Sequence, residues 1–273
     1  MIKFSASPLE IVKSFSLNWP LLYSLTKRDV ESKYRESFLG FLWSFVTPLL
    51  FLAIYTFVFG VVFKARWPVG EVDSKMEFAF IIFTGFMLFN IFSETISRAP
   101  TIILSHQNFV KKVVFPLEIL PAVALGGSLF NALVSFIVWL IFYIFNFGLP
   151  HPTLLLLPLI MFPLICLTLG VSWFFAALGV FVRDITHIVG LLTTALLFLS
   201  GIFFSAETLP PEYQEVLSLN PFLFIISQAR QVMIWGKLPD FAQLAIYTGF
   251  SLVLAWLGFV FFQKTRKGFA DVL

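Results

Sequence analysis

Six long apolar stretches, separated by short charged segments, make up most of this 273-residue chain. A helix needs about twenty predominantly apolar residues to cross the hydrocarbon core of a bilayer. The six stretches are Leu39–Phe63, Phe78–Ile96, Leu117–Phe147, Leu154–Val182, Ile188–Phe204 and Phe241–Phe262. Backbone polar groups in hydrocarbon must be satisfied inside each segment, which favours helices. We therefore predict an all-α polytopic membrane protein with six transmembrane helices.

Composition leaves little room for a soluble domain. Hydrophobic residues make up 59% of the chain and charged residues 12%, whereas ordinary globular domains are about one half apolar and one quarter charged. We predict one transmembrane domain over residues 39–273, preceded by a cytoplasmic segment over residues 1–38. Cys166 is the single cysteine, which excludes an intrachain disulfide. The first forty residues are mixed and charged, so we predict no cleavable signal peptide.

The distribution of positive charge predicts the orientation. Six crossings place both termini in one compartment, and that side carries thirteen of the 18 lysines and arginines. Short cytoplasmic loops are enriched in these residues. We therefore expect both termini to be cytoplasmic.

Two segments outside the spans have their own patterns. Residues 8–38 alternate apolar and basic residues, which predicts an amphipathic interface helix, kinked at Pro20 and serving as an anchor or as a partner-contacting collar. Val216–Trp235 is apolar enough for a seventh span, but it contains Asn220, Pro221 and Arg230, which are costly at the bilayer centre. We interpret it as part of a re-entrant or outer-face helical hairpin over residues 206–240, between spans five and six.

The sequence carries few residues for chemistry of its own. No glycine-rich phosphate loop is present, because Gly236-Lys237 is followed by leucine. The three histidines are isolated and outside the spans, so we expect no metal site and no catalytic residue. Glu94 is the main ionisable residue within a span, and we predict an i,i+4 pair with Arg98. Energised transport would therefore draw its energy from another polypeptide.

Two segments on the predicted cytoplasmic side are charged and short. They are Arg98–Pro116, between spans two and three, and the run Arg183–His187, between spans four and five. Such loops are either solvated or in contact with a partner, and composition leaves both interpretations open.

Four motifs in this order resemble the membrane subunit of an ATP-binding-cassette exporter of the polysaccharide-export branch, which includes the permeases for O-antigen, capsule and teichoic-acid export. The motifs are Lys27–Trp43 running into Thr47-Pro48-Leu49, Asn108–Lys112 with Phe115–Pro121, Phe181–Ile185, and Leu219-Asn220-Pro221 followed by Arg230. The resemblance covers nearly the whole chain. One departure is Ser200-Gly201-Ile202, where the family often has Ser/Thr-Pro.

The resemblance implies an assembly and a substrate. The chain would form a homodimer in the inner membrane of a bacterium and recruit two cytoplasmic nucleotide-binding subunits, which would hold ATP and Mg²⁺, so that this chain itself carries no cofactor. A lipid-linked polysaccharide would pass through the dimer channel. Membrane lipids are further partners, and a nucleic-acid partner is not expected.

The resemblance also implies roles for individual residues. Residues that would couple to the ATP-binding subunit are Arg28, Asp29, Tyr34, Arg35, Arg98, Asn108, Lys111, Lys112, Arg183 and Asp184. Residues of the outer gate would be Asn220, Pro221 and Arg230.

Aromatic residues suggest a lining for the channel. The chain has 37 phenylalanines, and ring faces let the C–H faces of sugars slide without strong hydrogen bonds. Phe51, Tyr55 and Phe59 recur at i,i+4 and share one helix face. The predicted channel residues are Phe51, Tyr55, Phe59, Phe83, Phe86 and Trp173.

Three alternatives stay open. A relative in the same family would export a drug or a small lipid instead of a glycan. An ion-coupled secondary transporter is disfavoured by the scarcity of charge within the spans. A membrane enzyme acting on polyprenyl lipids would need clustered Asp or His at a membrane face.

Overall fold

The computed structural model describes residues 7–35, 38–58, 75–111, 115–205, 210–218 and 220–273, and within these ranges its regular structure is helical. The helices are α1 (Pro8–Leu17), α2 (Trp19–Tyr34), α3 (Trp43–Tyr55), α4 (Lys75–Ile102), α5 (Gln107–Lys111), α6 (Ile119–Phe147), α7 (Leu157–Phe181), α8 (Ile185–Leu199), α9 (Pro211–Ser218), α10 (Pro221–Met233), α11 (Phe241–Thr265) and α12 (Phe269–Val272).

The membrane character predicted from the sequence is confirmed. Among the described residues, five helical segments are long and apolar enough to cross a bilayer, and they are Gly40–Val58, Met76–Ile102, Ile119–Phe147, Pro152–Phe181 and Phe241–Val272. The fifth predicted span, Ile188–Phe204, corresponds to the shorter apolar helix α8. At 1.5 Å per residue, its 15 residues reach about 22 Å, against about 30 Å of hydrocarbon. The chain leaves the helix at Gly201, whose φ of +71° favours glycine.

The N-terminal segment forms two helices. Asn18 separates α1 from α2, and its side-chain amide donates a 2.8 Å hydrogen bond to the carbonyl oxygen of Ser14. Pro20 is in the first turn of α2, where a missing N–H costs little, so the break lies before it. The predicted kink is therefore real but displaced by two residues. α2 then packs against α6.

The central helix is α4, the most buried of the five spans, whereas α3 is the least buried. α4 packs against α6 and α7, and α7 packs in turn against α11. Glycines permit two close crossings. A Cβ on Gly179 would lie 2.0 Å from the carbonyl oxygen of Pro100 in α4, and one on Gly258 would lie 2.0 Å from the carbonyl oxygen of Gly170. Such close backbone approach is typical of packing between membrane helices.

Between α8 and α11 the chain forms two short helices, α9 and α10. The interpretation of Val216–Trp235 as short helices instead of a seventh span is therefore confirmed. Asn220 separates the two helices, and Pro221 is the first residue of α10, a position where proline is well tolerated.

Candidate functional site

A groove of about 260 Å³ lies between α3, α4 and α6. Residues near the end of α3 meet residues in the first half of α4, as Tyr55 and Phe86 do. Its lining residues are Tyr34, Trp43, Ser44, Thr47, Pro48, Phe51, Tyr55, Phe83, Phe86, Met87, Asn90, Glu94, Ser128, Asn131, Ala132 and Ser135. The groove has an aromatic end and a polar end.

Four of the predicted channel residues form the aromatic end. Phe51 and Tyr55 stack with ring centroids 5.8 Å apart, and Tyr55 stacks on Phe86 at 4.5 Å. Phe83 also lines the groove, although it is 3% exposed. Phe59 lies outside the described residues. These rings present apolar faces to whatever enters the groove.

Trp173, the sixth predicted channel residue, is in a different place. It is fully buried between Phe15 of α1 and Phe259 of α11, at centroid distances of 6.0 and 5.1 Å. Its indole Nε1 donates a 2.8 Å hydrogen bond to the carbonyl oxygen of Glu118. Trp173 therefore does not line the groove, and its ring has no free face in this chain.

The polar end of the groove is a network that joins α2, α4 and α6. Asn131 donates hydrogen bonds of 3.1 and 2.9 Å to the two carboxylate oxygens of Glu94, and Lys33 forms a salt bridge with the same carboxylate. The hydroxyl of Tyr34 donates to Oδ1 of Asn131 at 3.3 Å. Burial, followed by the nearby Glu94 carboxylate, raises the pKa of Tyr34, so this hydroxyl remains a donor at neutral pH.

Asn90 continues this polar surface one turn away from Glu94. It lies in the middle of α4 with an exposed side chain, between residues that are buried. A polar side chain within a span normally faces a water-filled cavity or the interior of a bundle. The groove therefore holds polar side chains within the membrane domain, and Asn90 and Asn131 are the residues that sequence reasoning missed. Two asparagines inside apolar stretches were the available signal.

The predicted i,i+4 pair of Glu94 and Arg98 is replaced by pairs to α2. Both guanidinium nitrogens of Arg98 donate to the carboxylate of Asp29, one of them at 2.9 Å. Glu94 takes Lys33 and Asn131 instead. The packing of α2 beside α4 determines these pairs, and the spacing of residues along α4 alone does not predict them.

The predicted coupling residues separate into two groups. Arg28, Arg35, Asn108, Arg183 and Asp184 are exposed. Asp29, Tyr34 and Arg98 are bonded within the chain, so a partner subunit does not meet them as free groups. Lys111 is the last residue of α5, and Lys112 lies outside the described residues. Docking by the exposed group stays a prediction.

A second network fixes the opposite flank of the same end of the molecule. Glu118, at the start of α6, accepts a 2.9 Å hydrogen bond from the hydroxyl of Ser14 and a 2.6 Å salt bridge from Arg266. Arg266 also donates to the carbonyl oxygen of Phe115, just after α5. Glu118 thus connects α1, α6 and the end of α11.

The predicted gate residues anchor α10. The side chain of Asn220 accepts a 3.0 Å hydrogen bond from the amide of Phe222 and donates at 2.9 Å to the carbonyl oxygen of Leu199, the last residue of α8. Pro221 begins the helix.

Arg230 is buried at 4% exposure, and its three guanidinium nitrogens donate to three carbonyl oxygens. These belong to Ile81, Gly201 and Ile202, at 3.0, 2.9 and 3.0 Å. Burial lowers the pKa of Arg230 to about 9, which still leaves the guanidinium protonated at neutral pH. Arg230 therefore ties α10 to the start of α4 and to the turn after α8.

Among the described residues, no three His, Cys, Asp or Glu side chains come together closely enough to hold a metal ion. Several polar groups of the groove bond to neighbouring residues, whereas the side chain of Asn90 is exposed. This arrangement is suited to binding and passage.

Comparison with known proteins gives a consistent family. Residues 20–234 match the family model described as "ABC-2 type transporter". The O-antigen export system permease protein RfbA of Myxococcus xanthus is 29% identical over 253 residues, which cover 92% of this chain and 94% of that protein. A permease protein of the same name from Klebsiella pneumoniae is 27% identical over 259 residues, covering 93% and 95%. The polysialic acid transport protein KpsM of Escherichia coli is 24% identical over 245 residues, covering 89% and 92%.

Proposed function

The chain belongs to the ABC-2 type transporter family, and from this premise we propose that it is the membrane subunit of an ATP-driven exporter that moves a lipid-linked polysaccharide across the cytoplasmic membrane. The observation that carries the proposal is that relatives named as O-antigen export and polysialic acid transport proteins align with about nine tenths of the chain or more. O-antigen-like, capsular and teichoic-acid glycans are the substrate classes that we consider.

We propose that the groove is one wall of the translocation path. Its aromatic end offers ring faces, and its polar end offers the amides of Asn90 and Asn131. Sugars have apolar C–H faces and many hydroxyl groups, so both ends suit them. Because α3 is the least buried span and an exposed Asn90 facing lipid would be costly, a second copy facing this groove would close the path.

ATP hydrolysis on a separate cytoplasmic subunit follows from the same proposal. The exposed Arg28, Asn108 and Arg183 lie in α2, in α5 and between α7 and α8, respectively. The positive charge of these segments favours a cytoplasmic position. We propose that these segments dock the nucleotide-binding subunits, which hold ATP and Mg²⁺, and that both termini are cytoplasmic.

The first experiment is a pull-down of the tagged chain in mild detergent, followed by an ATPase assay. We expect an ATP-binding subunit in a ratio of about one to one, with ATPase activity, and a homodimer of the chain by chemical cross-linking. A lone protein without ATPase activity, from cells that express the candidate partner, would contradict the proposal and favour an ion-coupled transporter. Charge reversal at Lys111 and Lys112 should weaken subunit coupling while the protein still folds.

A second experiment tests the groove. Phe51→Ala removes a ring that is 44% exposed in the groove, whereas Phe145→Ala removes one that is 84% exposed on α6 and absent from the lining. Polysaccharide at the cell surface should fall with Phe51→Ala and stay unchanged with Phe145→Ala, at equal protein levels. Equal export by the two variants would exclude this groove as the path. Export of a labelled drug but no glycan would favour the small-molecule alternative.

A further inference from the structure

Four charged residues form an antiparallel ladder between α2 and α4. Asp29 and Lys33 are one turn apart on α2, and Glu94 and Arg98 are one turn apart on α4. Arg98 pairs with Asp29 and Lys33 pairs with Glu94. Each charge therefore has an opposite charge across the gap and another along its own helix. Charge-assisted bidentate pairs such as that of Arg98 fix geometry as well as charge.

Two glycines of α6 leave room for side chains of α2. A Cβ on Gly126 would lie 2.7 Å from Cγ2 of Thr26, and a Cβ on Gly127 would lie 2.8 Å from Oδ2 of Asp29. A side chain at Gly127 would displace the carboxylate of Asp29, and one at Gly126 would displace the γ atoms of Thr26. Gly126 and Gly127 are called the glycine seat below.

The ladder reaches the groove through shared side chains. Glu94 is bound by Lys33 from α2 and by Asn131 from α6, and Tyr34 of α2 donates to Asn131. Both Glu94 and Asn131 line the groove. The interface helix and the polar wall of the groove are therefore parts of one hydrogen-bonded unit.

A second ion pair on α2 shows what an ordinary surface pair looks like. Lys27 and Glu31 are 3.9 Å apart, and their side chains are 62% and 65% exposed. Exposed i,i+4 pairs of this kind contribute little to stability. The side chains of the ladder are exposed by only 18% to 34%, so they are screened less by solvent.

We propose that α2 and the segments of α4 and α6 that contact it move as one rigid body during transport, held by the charge ladder and the glycine seat. Asp29, Lys33 and Arg98 are then positioning residues. A displacement of α2 by the docked ATP-binding subunit is passed directly to Glu94 and Asn131 in the groove. This inference rests on the proposed function for the source of the displacement, whereas the rigid body itself rests on the contacts within the chain.

The first test is a disulfide between α2 and α6. A Cβ on Gly126 lies 3.4 Å from Cβ of Thr26, close to the about 3.8 Å of a disulfide. The variant is Thr26→Cys with Gly126→Cys in a Cys166→Ala background, in complex with its ATP-binding subunit, and each single cysteine variant is a control. We expect ATPase and export in the oxidised complex to stay within about twofold of the reduced complex, because the linked segments do not separate.

Two outcomes of this test have distinct meanings. A reduced complex that is active, loses export on oxidation and recovers it with dithiothreitol would overturn the rigid body and leave the proposed function intact. If neither the reduced double-cysteine variant nor its Cys166→Ala parent co-purifies with an ATP-binding subunit, the proposed function is refuted. The transmission of a displacement from that subunit is then refuted as well.

The second test reverses the charges of one rung. Asp29→Arg and Arg98→Asp are made singly and together, and Lys27→Glu is the matched control on the same helix. The readout is export per ATP hydrolysed, which simple loss of folded protein does not change. We expect each single variant to lower this ratio about tenfold, a typical coupling effect. The double variant should recover part of it, because the pair across the gap is restored while each new charge lies one turn from a like charge. Unchanged ratios in the single variants, or a double variant as poor as either one, would overturn the positioning role.

Discussion

Replacing Arg230 by methionine is the sharpest test of how α10 is held. The substitution keeps a similar apolar stem but removes donors to the carbonyl oxygens of Ile81, Gly201 and Ile202. A buried acceptor that loses its donor costs about 1–3 kcal/mol. Three such losses are partly offset because a buried cation is no longer desolvated. We therefore expect a net loss of about 3 kcal/mol in the free energy of unfolding.

The measurement is the apparent melting temperature of the purified protein in detergent. For a chain of this size, about 2–4 °C is lost per kcal/mol, so Arg230→Met should melt about 6–12 °C lower. Lys237→Met is the control, because Lys237 is an exposed cation after the same helix. Arg230→Lys should recover little, since one ammonium group does not reproduce the planar fork of donors. A melting temperature of Arg230→Met within about 2 °C of the unmodified protein would refute this account of the anchor.

Three further substitutions test the packing and the groove. Gly179→Ala should prevent accumulation of folded protein, because its Cβ would lie 2.0 Å from the backbone oxygen of Pro100; normal yield of monodisperse protein would contradict the close crossing. Gly40→Ala should cost about 1 kcal/mol through backbone strain alone, since its φ is +51° while the nearest atom to its Cβ would be the carbonyl oxygen of Tyr34 at 4.0 Å, and Gly40→Asn should melt closer to the unmodified protein than Gly40→Ala does. Asn90→Leu should leave the melting temperature unchanged or higher but lower export, whereas equal export would show that the polar surface is not part of the path. Leu133→Asn, a polar substitution at an exposed position of α6 outside the groove, should instead lower the melting temperature.

Sequence periodicity placed the aromatic end of the groove correctly. Phe51 and Tyr55 share a helix face because four residues make about one turn, and the structure brings them to Phe86 in one cavity. Their role in transport stays a prediction.

The sequence does not reveal the burial of Trp173, for a physical reason. α7 is apolar on nearly all sides, so the sequence does not mark which face meets the protein and which meets lipid. The burial of Trp173 depends on Phe15 of α1 and Phe259 of α11, which are both far from it in the sequence. The sequence does not reveal Asp29 as the partner of Arg98 for a similar reason. This pair depends on the packing of α2 against the glycine seat.

Glycine played two different roles that the sequence alone does not separate. Gly126, Gly127 and Gly179 are needed because a neighbouring element occupies the space of a side chain, while Gly40 is needed for its left-handed backbone. Gly201 combines both, because its φ is +71° and a Cβ would lie 2.3 Å from Cδ1 of Leu223. The two roles predict different rescue. Asparagine relieves part of a backbone requirement, but any side chain aggravates a close crossing.

The exposure of Asn90 links the fold to the proposed path. α4 is the most buried of the spans in the described part of the chain, with 72% of its apolar window buried. The exposed amide opens into the groove that Glu94 and the aromatic residues also line. A lipid-facing amide in this position would be costly. A second copy or a hydrated substrate opposite α3 and α4 would give the amide polar surroundings. A dimeric channel would provide both. The local energetics of one asparagine thus favour the assembly that the family relationship suggests.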